Sequence, residues 1–373
     1  MIVPKFDRNE PFNELPLLPP PKEIENNPEI LRHLVSTSRA LATFNTNLKR
    51  LPNPLMLINT LALQEAKTSS EIENIFTTED QLYRAISENN NEIGANAATK
   101  EVLRYREAMW AGFLELQSKK KIDTSLILRI FNQIKETKAG YRSSQSQVVI
   151  RRGDSEFRSG EIIYTPPRAE GLIDKLMVNL VDYLNDDIQY PADPLLKMCV
   201  AHYQFEAIHP FQDGNGRTGR ILNLLYLISK GLLSQPVLYM SKYIIQNKED
   251  YYFKLGAVTQ RNSWQTWIEF MLEATEETAL QANAGINEIL DQMDSTLAYG
   301  KGKIKWYNKE INEAIFRQPY IKPRVIGEIV GKSSRTTLTK YLNELVSNNI
   351  LTPKKNGVEV FYVNDDLIRI LEH

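Results

Sequence analysis

The sequence predicts a mainly α-helical protein with one small β-hairpin and a separate C-terminal region in which a helix–turn–helix precedes a second hairpin. Apolar residues recur at helical spacing through most of the chain after Pro28. Residues 148–166 interrupt this pattern with two strand-like segments around a polar loop. After residue 301 both the charge balance and the order of elements change. Together these three observations define the fold class.

Composition excludes several classes of protein. Of the 373 residues, 42% are hydrophobic and 24% are charged, which are ordinary values for a globular protein. The formal net charge of −1 excludes a uniformly polybasic nucleic-acid binder but leaves room for a local basic patch. The single cysteine, Cys199, cannot form an internal disulfide. No apolar run approaches the ~20 residues of a membrane helix, and the first residues lack a signal-peptide pattern. We therefore expect a cytoplasmic protein with no membrane partner.

Residues 1–28 form a proline-rich N-terminal arm, since they hold seven of the 18 prolines. Such a segment cannot pair as a strand or continue as a helix, so we expect it to drape over the body or to fray. Residues 29–120 then predict an N-terminal helical region, whose last long helix includes Trp110 and Phe113. A core region is predicted over residues 121–299, with Asp123 as the N-cap of its first helix.

The C-terminal region, residues 300–373, is predicted to be a winged helix. Gly300 and Gly302 indicate a linker at its start. Residues 301–373 hold 13 Lys and Arg against eight Asp and Glu, a net charge of +5, which leaves −6 for residues 1–300. A helix at 306–317 precedes a helix–turn–helix at 324–347. Two strands, 350–354 and 358–363, are joined across Asn356-Gly357, a dipeptide typical of tight hairpins. This order of elements is that of a winged helix.

Residues 209–220, which read HPFQDGNGRTGR, carry the chemistry. They lie between two apolar helices, and their glycines let backbone N–H groups approach an anion at a helix N-terminus. Arg217 and Arg220 are spaced so that both can point from one face of that helix toward the anion. Asp213 offers a hard oxygen ligand to Mg²⁺, and His209 can accept a proton near neutral pH. These features describe a polyphosphate site.

Two similar patterns are rejected. Gly214, Gly216 and Gly219 satisfy the dinucleotide-binding spacing GxGxxG, but no strand precedes them and no acidic residue follows at the required distance. The segment from Gly327 to Ser333 resembles a phosphate-binding loop but has three residues between its glycines where four are needed.

The segment from His209 to Arg220 resembles the signature HxFx(D/E)GNGRxxR of the Fic family at every fixed position. The resemblance implies a Fic-type helical bundle with a small hairpin flap. It also implies an enzyme that transfers AMP from ATP to a Ser, Thr or Tyr hydroxyl of a target protein and of itself, and that uses Mg²⁺. The Doc-like sub-branch, which moves phosphate itself, has Lys where this chain has Gly216, so AMP transfer fits better.

The resemblance assigns a role to each residue of the loop. His209 would be the catalytic base, and Asp213 would hold Mg²⁺ on the α- and β-phosphates. Phe211 would anchor the loop in the core. Asn215 would also be a catalytic residue. The residues that bind the nucleotide would be Gly214, Asn215, Gly216, Arg217, Thr218, Gly219 and Arg220.

A second segment, Ser69-Ser-Glu-Ile-Glu-Asn74, resembles the family's inhibitory pattern (S/T)xxxE(G/N). Ser69 and Glu73 are spaced i, i+4, so a helix around residues 69–76 would present a hydroxyl and a carboxylate on one face. The resemblance implies that Glu73 takes the place of the γ-phosphate beside Arg220. Glu71 is expected to be exposed and uninvolved.

The resemblance also implies partners. A flap over residues 148–166 would bind the target protein by strand addition, and Tyr251 would stack on the adenine. The winged helix could bind either DNA or a protein, and the sequence does not decide between them. It also allows a homodimer. Two further functions stay open: a DNA-binding regulator that uses the nucleotide site as a sensor, and removal of AMP from a modified protein at the same site.

Overall fold

The computed structural model describes residues 6–51, 54–87, 96–152, 160–331, 335–356 and 359–372. Helices dominate these residues, as predicted, and none of the described helices is long and apolar enough to cross a bilayer. The helices are α1 (Pro28–Leu48), α2 (Pro54–Ile72), α3 (Glu79–Ser87), α4 (Ala97–Lys119), α5 (Thr124–Lys135), α6 (Leu172–Asn185), α7 (Pro194–Ile208), α8 (Asn215–Ser229), α9 (Met240–Gln246), α10 (Lys248–Arg261), α11 (Trp264–Lys303), α12 (Lys309–Ile315), α13 (Pro323–Val330), α14 (Arg335–Ser347) and α15 (Asp365–Glu372).

Two helices, α7 and α8, form the centre of the protein. Every residue of α7 from Leu195 to Ile208 is buried, and so is nearly all of α8. A helix that is buried on all sides needs neighbours on all sides, and α1, α4, α5, α6 and α11 pack around this pair. The loop between α7 and α8 is therefore held between two buried helices of the core.

The predicted hairpin is present as the antiparallel strands β1 (Ile150–Arg152) and β2 (Glu161–Tyr164). The tip of the predicted flap, residues 153–159, lies outside the described residues. The hydroxyl of Tyr164 donates to the carbonyl of Ala207 (2.9 Å), two residues before His209. This bond ties the base of the hairpin to the end of α7.

The N-terminal arm drapes over the body in its described part, residues 6–28. Phe12 donates its N–H to the carbonyl of Thr165 (3.0 Å), and Phe6 stacks on Tyr164 at the end of β2. Further along, Gln204 of α7 donates to the carbonyl of Pro16 (2.9 Å). The arm thus fastens the base of the hairpin to the core.

The predicted linker at residues 300–302 is wrong. α11 is a single helix of 40 residues that runs through both glycines to Lys303. Gly300 is buried against the ring of Tyr307, in a space that a Cβ would fill, so close packing explains this glycine better than flexibility does. The C-terminal region therefore follows α11 without an extended connection.

The C-terminal region has the predicted order of elements. α12, α13 and α14 precede the strands β4 (Thr352–Asn356) and β5 (Glu359–Val363). A short strand, β3 (Tyr320–Ile321), joins them in an antiparallel sheet of order β3-β5-β4, and α15 closes the region; neither was predicted. Gly357 and the turn at Lys332 lie outside the described residues. On α14, Leu342 and Leu345 are buried in the core, while Leu338 is only partly buried.

Candidate active site

The loop between α7 and α8 is shaped by residues at its two ends. His209 caps α7 in a left-handed conformation (φ 49°), with its N–H on the carbonyl of Phe205 (3.0 Å). Gly214 precedes α8 with φ 81°, a conformation that glycine adopts without steric cost. The first bond of α8 runs from Thr218 N to Gly214 O (3.0 Å), so the N–H groups of Asn215, Gly216 and Arg217 precede the helical ladder. N–H groups at such a helix end are of the kind that bind anions, and they lie where the sequence predicts.

Phe211 anchors the loop, as predicted. Its ring is fully buried and stacks on Phe131 with the ring centroids 3.8 Å apart. Asn215 secures the same residue, because its Oδ1 accepts from Phe211 N (2.9 Å) and its Nδ2 donates to Phe211 O (2.8 Å). Both polar atoms of this side chain are occupied, which corrects the prediction that the Asn215 side chain contacts phosphate. Asn215 holds the loop.

Arg142 secures the other side of the loop and was missed by the sequence analysis. Its Nε donates to the carbonyl of His209 (2.8 Å) and its Nη2 to those of Ile208 (3.1 Å) and Pro167 (2.6 Å). No local pattern marks this arginine, which lies 67 positions before His209. It connects the catalytic loop to the segment that follows β2.

His209 stands in its neutral form at the start of the loop. Burial lowers the pKa of its imidazole to about 4, with a further lowering from the charge of Arg142. Its Nδ1 is buried and has no hydrogen-bond partner among the described residues. A neutral imidazole can take up a proton, so the protonation state of His209 suits the role of a base near neutral pH.

Arg217 does not point where the sequence predicts. Its guanidinium is fully buried and donates through Nη1 to Glu101 Oε1 of α4 (2.6 Å). A buried charge needs a counter-ion, and Glu101 supplies it. The expectation that Arg217 and Arg220 face one anion together is therefore wrong: Arg217 faces α4, and Arg220 faces α2.

Asp213 belongs to the same charge network. Its Oδ2 accepts from Lys135 Nζ (2.6 Å), which also contacts Glu101 Oε1 (3.2 Å), and its Oδ1 accepts from Gly214 N (2.6 Å). Burial acts to raise the pKa of Asp213, but Lys135 and Arg217 outweigh it, so the carboxyl stays ionised. The Gly214 amide, predicted to face phosphate, is thus bonded to this carboxylate.

The donor set fits Mg²⁺ bound through phosphate. Asp213 is about two-thirds exposed and offers ionised oxygens beside the amides of α8. In the described part of the chain, no three His, Cys, Asp or Glu side chains are grouped as a metal site. Mg²⁺ commonly binds one or two carboxylates and takes its other ligands from water and phosphates. A lone accessible carboxylate suits that mode.

Arg220 is held by the end of α2. Its Nε donates to Ser69 Oγ (2.7 Å), and its Nη2 donates to Ser69 O (2.8 Å) and to Glu73 Oε1 (2.9 Å). Burial acts to lower the pKa of Arg220, but the charge of Glu73 outweighs it and raises that pKa. The Glu73 carboxylate also lies over Gly216, where an added Cβ would overlap its Oε1. Glu73 therefore stands between Arg220 and the first turn of α8.

The helix that carries Ser69 ends earlier than predicted. α2 is long and ends at Ile72, while Asn74 adopts a left-handed conformation (φ 62°), so residues 73–76 are not helical. Lys248 of α10 donates to the carbonyl of Ile72 (2.7 Å) and caps the helix. Glu71 is not fully exposed as expected, because it pairs with Lys67 (3.4 Å). The spacing of Ser69 and Glu73 is nonetheless the predicted one.

Three other predicted nucleotide contacts are corrected. The Thr218 hydroxyl is buried and donates to Gly214 O (2.9 Å), so it caps α8 internally. Gly219 faces α7, where an added Cβ would lie 2.5 Å from Glu206 Oε1. Tyr251 is 2% exposed, and its hydroxyl pairs with His202 Nε2 (2.9 Å). Stacking on a base needs an open ring face, which buried Tyr251 lacks.

Comparison with known proteins identifies the family. Residues 31–114 match the model described as Fic/DOC family N-terminal, and residues 118–227 match the model of the Fic/DOC family. Together these two matches cover more than half of the chain. The chain belongs to the Fic/DOC family. Residues 293–367 match a third model, described as the C-terminal domain of protein adenylyltransferase SoFic-like.

Similar Fic proteins are known from animals. The chain is 28% identical over 152 residues to protein adenylyltransferase fic-1 of Caenorhabditis elegans, which covers 41% of this chain and 28% of the relative. It is also 28% identical over 162 residues to protein adenylyltransferase Fic of Drosophila willistoni, covering 43% of this chain and 31% of the relative. The chain thus spans less than a third of the length of these relatives.

Solved structures share the Fic helical fold. A Fic family protein from Desulfovibrio desulfuricans G20 superposes with a TM-score of 0.59 at 22% identity, over 93% of this chain and 98% of that one. Fic-1 of C. elegans superposes with a TM-score of 0.51 at 20% identity, over 69% and 73%. At 22% and 20% identity, these comparisons show that the fold is shared and nothing further.

Glu206 is a further residue of the Fic core that the sequence analysis missed. It lies one helical turn before His209, is 7% exposed, and its Oε1 has no hydrogen-bond partner among the described residues. Burial raises the pKa of this carboxyl to about 8; Arg220 opposes the rise and Glu73 adds to it. Gly219 provides the space that the carboxyl occupies. The pairing of a buried Glu with a facing Gly cannot be read from either residue alone.

Proposed function

We propose that this chain is a protein adenylyltransferase that moves AMP from ATP to a Ser, Thr or Tyr hydroxyl of a target protein, and to itself. The observation that carries the proposal is the position of His209, a neutral, half-buried imidazole at one end of a loop whose other end presents the N–H groups of α8. A base and an anion-binding helix end that lie close together on one loop are what attack on the phosphoanhydride of ATP requires.

The proposed reaction begins when His209 accepts the proton of the target hydroxyl. The hydroxyl oxygen forms a bond to the α-phosphorus, the bond from that phosphorus to the bridging oxygen breaks, and pyrophosphate leaves with the electron pair. His209 can accept a proton because burial keeps its imidazole unprotonated. Arg142 fixes the backbone on which the imidazole sits, so the base is already in place before substrate binds.

The triphosphate would be bound by the first turn of α8 and by Arg220. Gly216 leaves the helix end open to close approach, and Arg220 presents its guanidinium next to it. Asp213 would hold Mg²⁺, which when bound neutralises charge on the phosphates. Arg217 supports this site by bonding α8 to Glu101 of α4, and this role requires no contact with phosphate.

We propose that Glu73 inhibits the transfer. Its carboxylate takes the place on Arg220 that a phosphate would occupy, and it adds negative charge over Gly216. A triphosphate that still binds through its other contacts would then hold its α-phosphorus away from the hydroxyl. Correct positioning can be worth several kcal/mol of barrier, so misorientation alone would suppress transfer.

The target segment would bind along the β1–β2 hairpin by strand addition. The support is positional, because Tyr164 of β2 bonds to Ala207 and so sets the hairpin beside His209. A strand added at this hairpin would carry its hydroxyl toward the catalytic loop.

The test is incubation of the chain with labelled ATP and Mg²⁺, followed by detection of labelled protein. Glu73→Gly should label itself and added extract proteins, and label placed on the α-phosphate should be transferred while label on the γ-phosphate should not. Transfer of the γ-label would show a phosphate-transferring enzyme. Absence of label from both positions in the Glu73→Gly protein would contradict the proposal.

Removal of AMP from a modified protein is the second candidate. One observation favours it: the Glu73 carboxylate is partly exposed and lies over the first turn of α8, where it could orient a water toward the same phosphorus. If wild type releases AMP from a premodified target faster than Glu73→Gly does, the carboxylate serves removal as well as inhibition.

A further inference from the structure

The C-terminal region contacts the helices on both sides of the inhibitory segment, which we define as residues 69–75. On one side, Asp80 at the start of α3 is bound by two residues of the C-terminal sheet. Lys354 of β4 donates to Asp80 Oδ1 (2.6 Å), and the Tyr320 hydroxyl of β3 donates to the same oxygen. Lys354 also contacts the Tyr320 hydroxyl (3.3 Å), so the three side chains form one cluster.

On the other side, Gln64 of α2 is bound by the end of α15. Gln64 is 5% exposed, and its Nε2 donates to the carbonyl of Leu371 (2.8 Å). Glu73 lies between the two contact points, nine positions after Gln64 and seven before Asp80. The C-terminal region therefore fixes the chain just before and just after the inhibitory carboxylate.

The part of the chain between these points is internally linked. Lys67 lies 3.4 Å from Glu71 and 3.5 Å from Glu79, which couples the last turns of α2 to α3. Ile75 N donates to Ser70 O (3.0 Å), which closes the turn after the helix. Because these bonds span the turn, a shift of α3 relative to the core would move the backbone that carries Glu73.

We propose that the C-terminal region acts as a clamp on the inhibitory segment, with Tyr320 and Lys354 as positioning residues that hold Glu73 against Arg220. The inference rests on the proposed function of Glu73 and extends it to a part of the chain far from the catalytic loop. Release of Asp80 from this clamp raises the fraction of molecules in which Arg220 is free for phosphate.

The size of the effect follows from the exposure of the contact. The Asp80 and Lys354 side chains are 31% and 48% exposed, and exposed ion pairs are weak. Loss of the pair and of the Tyr320 hydrogen bond should therefore raise the AMP-transfer rate about two- to fivefold. A rise of this size is smaller than the one expected from Glu73→Gly, which removes the carboxylate itself.

The experiment compares the double variant Lys354→Met/Tyr320→Phe with Arg369→Met at saturating labelled ATP. Arg369 also ties the C-terminal region to the body, through Glu288 of α11 (3.0 Å), and its pair is similarly exposed, but it does not touch α3. The double variant should label faster than wild type, and Arg369→Met should not. In a Glu73→Gly background the double variant should add nothing, because no carboxylate remains to be held.

Hydrogen exchange at the Glu73, Asn74 and Ile75 amides supplies a readout that needs no catalysis. The double variant should exchange faster there than wild type or Arg369→Met. Equal exchange in all three proteins overturns the clamp, whatever the labelling shows, and so does a rise in labelling that persists in the Glu73→Gly background. If exchange rises but Glu73→Gly itself is inactive, the clamp stands and the proposed function fails.

Discussion

Glu73 Oε1 lies 2.9 Å from Arg220 Nη2, and the same guanidinium donates to both the hydroxyl and the carbonyl of Ser69. The pair joins residues 147 positions apart and is largely shielded from water on the arginine side. Because Nε and Nη2 of this guanidinium already donate to Ser69 and Glu73, a phosphate has to compete for them. Most of the expected behaviour of this site follows from that competition.

Glu73→Gly should raise AMP transfer strongly while changing ATP affinity only modestly. The substitution removes the carboxylate from Arg220 and from the first turn of α8, so the triphosphate can align with the hydroxyl. The matched control is Glu71→Gly, which loosens the same turn of α2 and loses the contact with Lys67 but keeps the Glu73 carboxylate on Arg220. Labelling rates at saturating ATP decide the matter: equal rates for Glu73→Gly and wild type, or equal activation by Glu71→Gly, would refute inhibition by Glu73.

His209→Ala in the Glu73→Gly background should reduce AMP transfer by about 10²- to 10⁴-fold, the usual loss when a general base is removed. ATP affinity, measured by calorimetry, should stay within a few-fold, because the imidazole acts on the hydroxyl. If the double variant transfers AMP as fast as Glu73→Gly alone, His209 is not the base.

Arg220→Ala should weaken ATP binding in the Glu73→Gly background, where no carboxylate competes for the guanidinium. Loss of a charge-assisted contact to phosphate should cost about 1.5–3 kcal/mol, or roughly ten- to a hundredfold in Kd. A thermal melt should accompany the calorimetry because Arg220 is buried. Unchanged ATP affinity in a folded protein would show that Arg220 does not bind phosphate.

The transfer rate of Glu73→Gly should be nearly constant from pH 8 to pH 6. Burial lowers the pKa of His209 to about 4, and removal of Glu73 takes away a charge that raises that pKa. Protonation should therefore abolish the base only as pH falls toward 4. A rate that halves between pH 7 and pH 6 would mean that the base titrates near the ordinary histidine value.

Glu206→Gln should make stability less sensitive to alkaline pH. The pKa of Glu206 is raised from 4.5 to about 8 by burial, so between those values the folded state holds a proton that the unfolded state has lost. Wild type should therefore lose stability as pH rises through this window, by about 1.4 kcal/mol per pH unit from this group. Denaturant melts at pH 6.5 and pH 8 should show a smaller loss for Glu206→Gln. If wild type and Glu206→Gln lose the same stability between these pH values, the Glu206 carboxyl is solvated in the folded state and its pKa is not raised.

The sequence predicted the local parts of the site well and the long-range parts poorly. The loop and the start of α8 are determined by glycines and caps within twelve neighbouring residues, so their shape could be anticipated. The partner of Arg217 could not, because Glu101 lies 116 positions away and meets it only through the packing of α4 on α8. Tyr251 has a suitable spacing, yet its hydroxyl contact with His202 places it in the core.

The same distinction holds for the fold. The helical body, the small hairpin and the C-terminal order of elements follow from periodicity, which is a local property of the chain. The linker at Gly300 was wrong because glycine can mark either a break or a close contact, and only the position of Tyr307 separates the two.

Gly216 links the two chemistries that this loop type can support. Because Glu73 lies where a Cβ at position 216 would be, any side chain there would displace the Glu73 carboxylate. Under the proposed function, the lysine of the phosphate-transferring sub-branch at this position would therefore alter the phosphate site and remove the inhibitory contact together. Inhibition by Glu73 thus requires glycine at position 216, and a chain with a larger residue there would need another means of restraint.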